Sequence, residues 1–172
     1  LTSCNNKKFH INGNITEAQD SMLYLENISL NGPVKIDSVK LGEDGAFAFD
    51  EAAMDSVTPE FYRLRIANQT INLSIDSTET VKVKAAYPQM SFKYEVEGSE
   101  NCNKIKELSL KQMTLQSNIN GLVKDPNIGN DSIESIVGRM LQAYKQDIKT
   151  NYIFKEPMKA YAYYALFQTV QL

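Results

Sequence analysis

At 172 residues, with 42% hydrophobic and 23% charged side chains, the chain has the make-up of an ordinary folded protein, long enough for one good core or two small ones. Its net charge of -3, with 18 Lys and Arg scattered among 21 acids, excludes a general polyanion binder, so nucleic acid is not an expected partner. No apolar run approaches the roughly 18 residues that cross a bilayer, and the two cysteines and one histidine form no Cys-x-x-Cys or Cys/His metal spacing.

The chain opens on Leu1-Thr2-Ser3-Cys4, which matches the end of a bacterial lipoprotein signal, where cleavage leaves the cysteine as a new N-terminus for lipid attachment. The polar run Asn5-Asn6-Lys7-Lys8 follows, so residues 1–7 are read as a lipobox end and a flexible tether, with Cys4 as the lipid attachment site. A diacylated cysteine would hold the protein on a membrane without a spanning helix. The other reading of Cys4 is a loose cysteine in a disordered tail.

From Phe9 onward the pattern is one of short strands. Phe9, Ile11, Gly13 and Ile15 share one face, with His10 on the other; Met22 to Leu25 form a second run and Val34 with Ile36 begin a third. Asp37-Ser38 breaks the alternation, which Val39 and Leu41 resume out of phase, as a bulge would allow. Asp44-Gly45 is a hairpin signal that delivers Phe47 and Phe49 to one side. The strongest pattern is Phe61 to Asp76. A two-residue loop at Asn68-Gln69 would pair Ile66 with Ile71, Leu64 with Leu73 and Tyr62 with Ile75, and put Arg65 beside Asn72 and Arg63 beside Ser74 on the other face. Val81, Val83 and Ala85 alternate with lysines, and Phe92, Tyr94 and Val96 with Lys93, Glu95 and Glu97, which suits edge protection.

At Gly98-Ser99 the period changes from two to about three and a half. Ser99 can cap a helix that runs to about Lys124, with a seam of Ile105, Leu108, Gln112, Leu115, Ile119 and Leu122. A second helix is expected from Asp131, with Glu134 closing a capping box and Ile133, Ile136 or Val137, Met140, Tyr144 and Ile148 inward. A third opens near Pro157 and runs toward Leu172 with no closing cap, so the polypeptide is expected to continue. The fold class is therefore α+β: residues 8–98 an antiparallel β-sandwich or open barrel of about eight strands, residues 99–172 a connector of about three helices.

Chemistry is sparse. Cys102 falls in the first turn of a helix, where the dipole lowers a thiol pKa, but it has no resolving cysteine or base nearby in sequence and reads as an incidental thiol. Asp76 with Glu79, in a turn, and Glu95 with Glu97 are the paired acids open to a glycosidase or calcium reading; Glu95 and Glu97 with Lys93 read as a solvated face, and the calcium case lacks a dense acidic loop. Tyr161, Tyr163, Tyr164 and Phe167 cover more than one side of the third helix and read as an interaction surface for a further module or a second copy of the chain, against a plain core role. No nucleophile, base and orienting group assemble, and no cofactor or metal is expected.

Phe9 to Ile15, Leu23-Tyr24-Leu25, Ile36 to Val39, Asp44 to Phe49, Phe61 to Leu64 and Tyr94 to Ser99 together resemble the N-terminal domain of unknown function that precedes a thioredoxin-like, AhpC/TSA or TlpA/ResA type module in lipoproteins of Bacteroides-type bacteria. The resemblance implies a lipid-anchored thiol-disulfide oxidoreductase of the cell envelope, with its Trp-Cys-x-x-Cys motif in a downstream module. This chain has no Trp and is read as the non-catalytic front part, which positions that module or selects its client proteins. The non-acidic run after Cys4 favours the periplasmic side. The alternative is a free-standing lipoprotein β-sandwich that binds carbohydrate or peptide.

Overall fold

The computed structural model describes residues 7–53, 59–76 and 78–172, so Cys4 lies outside the described residues. Two compact units divide the chain, Leu1–Asn103 and Lys104–Leu172.

The first unit is a β-sandwich. Its strands are β1 (Lys8–Thr16), β2 (Met22–Ser29), β3 (Gly32–Lys40), β4 (Ala46–Ala52), β5 (Glu60–Ile66), β6 (Gln69–Ile75), β7 (Thr80–Ala86) and β8 (Tyr94–Glu97). They form one sheet in the order β4-β1-β7-β8 and a second in the order β3-β2-β5-β6. Period-two alternation puts Phe9, Ile11, Ile15, Phe49, Val81 and Val83 of the first sheet in one buried cluster with Leu23, Leu25, Leu64, Ile71 and Leu73 of the second. The Phe9 and Tyr62 rings meet across it with centroids 5.0 Å apart. All pairings are antiparallel except β1 with β7, which is parallel because the chain returns from the second sheet to the centre of the first.

Several local expectations are corrected. The central hairpin turns at Ala67-Asn68 rather than Asn68-Gln69, and its pairs are Ile66 with Gln69, Leu64 with Ile71 and Tyr62 with Leu73. The positive φ of 50° falls on Ala67. Ser91 favours this register: its amide donates to Gln69 Oε1 at 3.2 Å and its hydroxyl accepts the Thr70 amide at 2.8 Å, so Gln69 closes the strand pair with its polar end satisfied. A shift of two residues keeps the parity of every side chain, so the apolar face is unchanged. Asp44-Gly45 links β3 to β4 in the other sheet and is not a hairpin; Gly45 instead presses its backbone on β1, where a Cβ would overlap the Ile15 carbonyl. The bulge in β3 exists, opposite Leu25 and Glu26, but it leaves Val34 and Ile36 exposed on an edge strand. Phe92 is exposed in the turn before β8.

The second unit holds helix α1 (Glu100–Lys124) from Lys104 onward, α2 (Asn130–Ile148) running into a π-helical turn at Lys149–Ile153, and α3 (Ala160–Val170). Ser99 caps α1 as expected, its hydroxyl accepting the Cys102 amide at 3.2 Å. The expected capping box of α2 does not form: the helix starts one residue earlier, Gly129 precedes it without a side-chain cap, and Asp131 sits inside the first turn, where its charge still meets the helix dipole. Pro157 lies ahead of α3 in a turn closed by the Lys159 amide on the Glu156 carbonyl at 3.1 Å, so α3 starts at Ala160. Lys111 pairs with Asp147 at 2.8 Å, and the Tyr152 hydroxyl donates to Glu107 at 3.0 Å, tying α2 and its π turn to α1.

Gly13 is the tightest backbone position of the sandwich. Its φ of 151° is a region L side chains rarely adopt, and a Cβ would overlap the Val83 carbonyl on β7. Gly13→Ala should therefore destabilise the β unit by more than about 2 kcal/mol, read as a lower urea midpoint at unchanged slope.

Candidate functional site

The outer face of the second sheet carries a cluster of charged residues. On β2, Leu23 and Leu25 point inward, so Tyr24 and Glu26 point outward; on β5, Tyr62, Leu64 and Ile66 point inward, so Arg63 and Arg65 point outward. Register sets Glu26 between Arg63 on β5 and Lys35 on β3, and Tyr24 opposite Arg65. Glu26 is 5% exposed overall, and its two oxygens each accept an arginine Nε–H, one from Arg63 and one from Arg65 at 2.8 Å. The Arg65 guanidinium lies 4.7 Å and the Lys35 ammonium 5.6 Å from the centroid of the Tyr24 ring. Burial pushes the Glu26 carboxyl up, but the hydrogen bonds and charges of Arg63 and Arg65 outweigh it and hold the group below the usual glutamate value.

Cys102 is fully buried and its thiol donates to the Ser74 carbonyl at 3.1 Å. Burial pushes its pKa up despite the helix terminus, the opposite of what a nucleophilic thiol needs. His10 pairs with Asp50 on the neighbouring strand β4. Glu95 and Glu97 stand opposite Lys84 and Lys82 on an exposed face. Asp76 and Glu79 close a turn on each other's backbone, the Asp76 amide donating to Glu79 Oε2 at 2.7 Å and the Glu79 amide to the Asp76 carbonyl at 2.9 Å. Among the described residues, no group of three or more His, Cys, Asp or Glu side chains could hold a metal ion.

In the helical unit the four aromatic residues proposed as one surface are divided. Tyr161 is buried, packs edge-on against Tyr152 at 6.4 Å and donates its hydroxyl to Glu156 at 2.6 Å, so it belongs to the interior. Tyr164 is half-buried beside the Ser109 hydroxyl at 3.2 Å. Tyr163 and Phe167 are exposed. With Leu166 and Val170, also exposed, they occupy positions i, i+3, i+4 and i+7, a continuous apolar stripe. The opposite face of α3 is Tyr161, Ala162, Ala165 and Gln168, all buried. Gln168 anchors it, donating to Gln112 at 3.0 Å and accepting from Tyr144 at 3.4 Å. Burial pushes the Tyr144 hydroxyl up to about 12, so it stays a donor at any physiological pH.

The sequence reading missed the cluster around Glu26. Its signals were a lone charged residue in a mostly apolar strand and two arginines separated by a single leucine in another, but nothing along the chain says that the strands are neighbours.

Residues 9–105 match the family described as Domain of unknown function (DUF4369). No curated protein matches the chain. Among solved structures, (S)-allantoin synthase is similar over 55% of this chain and 45% of its own, at 10% identity and a TM-score of 0.34. A candidate cell adhesion protein from Bacteroides ovatus is similar over 55% of this chain and 43% of its own, at 11% identity and a TM-score of 0.31. The chain spans less than half the length of either, and likeness at this level carries no functional argument.

Two outcomes follow from the geometry. Glu26→Gln should cost about 2 kcal/mol at neutral pH, toward the lower side of a broken buried pair because both arginines are about a quarter exposed. Because the folded pKa of Glu26 is depressed, its contribution is complete above the ordinary glutamate value and lost as pH falls through the lowered one; the variant should flatten that acid limb in denaturation curves taken across pH. Iodoacetamide should leave the Cys102 peptide unmodified in the native protein and alkylate it fully in denaturant, as read by peptide mass spectrometry.

Proposed function

We propose that this chain, which belongs to the DUF4369 family because residues 9–105 of its 172 match that family, is the non-catalytic accessory part of a lipid-anchored thiol-disulfide oxidoreductase of the cell envelope. In this reading its helical unit positions a thioredoxin-like module of the same polypeptide or helps select its client proteins. The observation that carries it is the two-sided character of α3. One face is buried in its own unit, while Tyr163, Leu166, Phe167 and Val170 leave the other apolar and open to water, with Phe167 61% and Val170 76% exposed.

Each such side chain gives up about 1.5 kcal/mol or more by staying in water rather than under a partner. A helix whose only task was to close its own unit would carry polar residues there. The downstream module is supported by the sequence resemblance of the β unit, and the lipid by Leu1-Thr2-Ser3-Cys4. The buried thiol of Cys102 fits a structural role for that cysteine, with the redox chemistry supplied by the neighbouring module.

The test uses the intact polypeptide. Phe167→Glu should loosen the module, seen as a larger radius of gyration in solution scattering and slower reduction of a disulfide client, with the melting of the β unit unchanged. Unchanged scattering and turnover, or a full reading frame without a Trp-Cys-x-x-Cys module, would remove this reading.

A further inference from the structure

We propose that the outer face of the β2 and β5 pair is a binding site for the carboxylates of an acidic, extended peptide, with Arg63 and Arg65 as the receptor groups and Tyr24 and Lys35 beside them. The inference goes beyond the accessory role, which rests on α3.

Arg63 and Arg65 pair with one carboxylate, Glu26, and Lys35 stands opposite it on β3, so these residues carry an excess of positive charge in a chain whose net charge is -3. One arginine is enough to neutralise one glutamate. Both arginines stabilise the charged Glu26, and with Lys35 they still carry more positive charge than this one carboxylate neutralises.

Glu26 takes only the Nε–H of each arginine, and the Ala67 carbonyl takes one Nη1 of Arg65 at 3.2 Å. Among the described residues, the Arg63 Nη groups and Arg65 Nη2 have no protein acceptor. A buried carboxylate thus holds two guanidiniums by their inner nitrogens and keeps both planar ends oriented. A carboxylate ligand can take a pair of parallel N–H bonds from such an end.

The surroundings select the ligand. Along β2 the outward residues read Met22, Tyr24, Glu26, Ile28, so exposed apolar side chains flank the charged centre at both ends, with Met22 38% and Ile28 36% exposed. Successive outward positions on a strand lie about 6.8 Å apart, the same repeat as alternate side chains of an extended peptide. Acidic residues at alternate positions, with apolar neighbours, match this face in charge and spacing.

The test titrates the whole chain with an acetylated, amidated hexapeptide that alternates Val and Glu, with its Val and Gln counterpart, and with inorganic phosphate. NMR of the arginine Nε–H signals is the readout. The acidic peptide should shift Arg63 and Arg65 saturably, more weakly at higher salt, while the Gln peptide should not. Arg65→Gln, which leaves Glu26 paired to Arg63, should weaken binding about 10-fold or more. Lys35→Gln, at an exposed position that folding does not need, should weaken it less. Equal shifts with the Gln peptide, saturation by phosphate but not by the acidic peptide, or no saturable shift in the unsubstituted protein would each overturn the proposal.

Discussion

The burial of alternate side chains between two four-stranded sheets is the constraint on which the β unit depends. Ile11 and Val83 from one sheet and Leu25, Leu64 and Leu73 from the other are fully removed from water, each contributing about 1.5–3 kcal/mol. Because side chains alternate across a strand, fixing these inward residues fixes every outward one. Changes that keep parity are therefore tolerated: the central hairpin sits two residues from the register with the most symmetrical apolar pairing, yet Tyr62, Leu64, Ile66, Ile71, Leu73 and Ile75 all remain buried. The choice between these registers falls to weaker forces, the hydrogen bonds by which Ser91 donates to Gln69 and accepts from Thr70.

The same parity builds the charged face. Once Leu25 and Leu64 point inward, Glu26 and Arg63 must point outward, and the pairing of β2 with β5 puts them side by side. A glutamate beneath two arginines gives up much of its hydration, and its lowered pKa shows that the arginines more than restore the stability of its charged form. The result is a rigid set of cations on a sheet, a better platform for recognition than charges on mobile loops.

The helical unit is organised by polar contacts to a greater degree. Lys111 with Asp147, Tyr152 with Glu107 and Gln168 with both Gln112 and Tyr144 cross between helices at hydrogen-bond distance. Positive charge from Lys104 and Lys111 lies near the Tyr152 ring, balanced by Glu107 and Asp147, so this network is neutral and self-contained. The bonds of Gln168 to Gln112 and Tyr144 hold one face of α3 inward. The other face leaves Tyr163, Leu166, Phe167 and Val170 exposed as an apolar stripe.

The sequence by itself determined the elements and the inward faces of β1, β4, β5, β6 and β7, because period two and period three and a half are properties of the local backbone. Eight strands, the bulge in β3, the Ser99 cap and three helices were legible for that reason. Cys102 was legible as an unlikely nucleophile from the missing partners around it, while its burial against Ser74 was not. Only the tertiary structure decided which strands are neighbours: that Asp44-Gly45 crosses between sheets, that β1 lies parallel to β7, and that Glu26 meets Arg63 and Arg65 across about forty residues of chain. It also divided the aromatics of α3, burying Tyr161 and exposing Phe167, because a helix that is apolar all round shows no preferred face until other helices pack on one side of it.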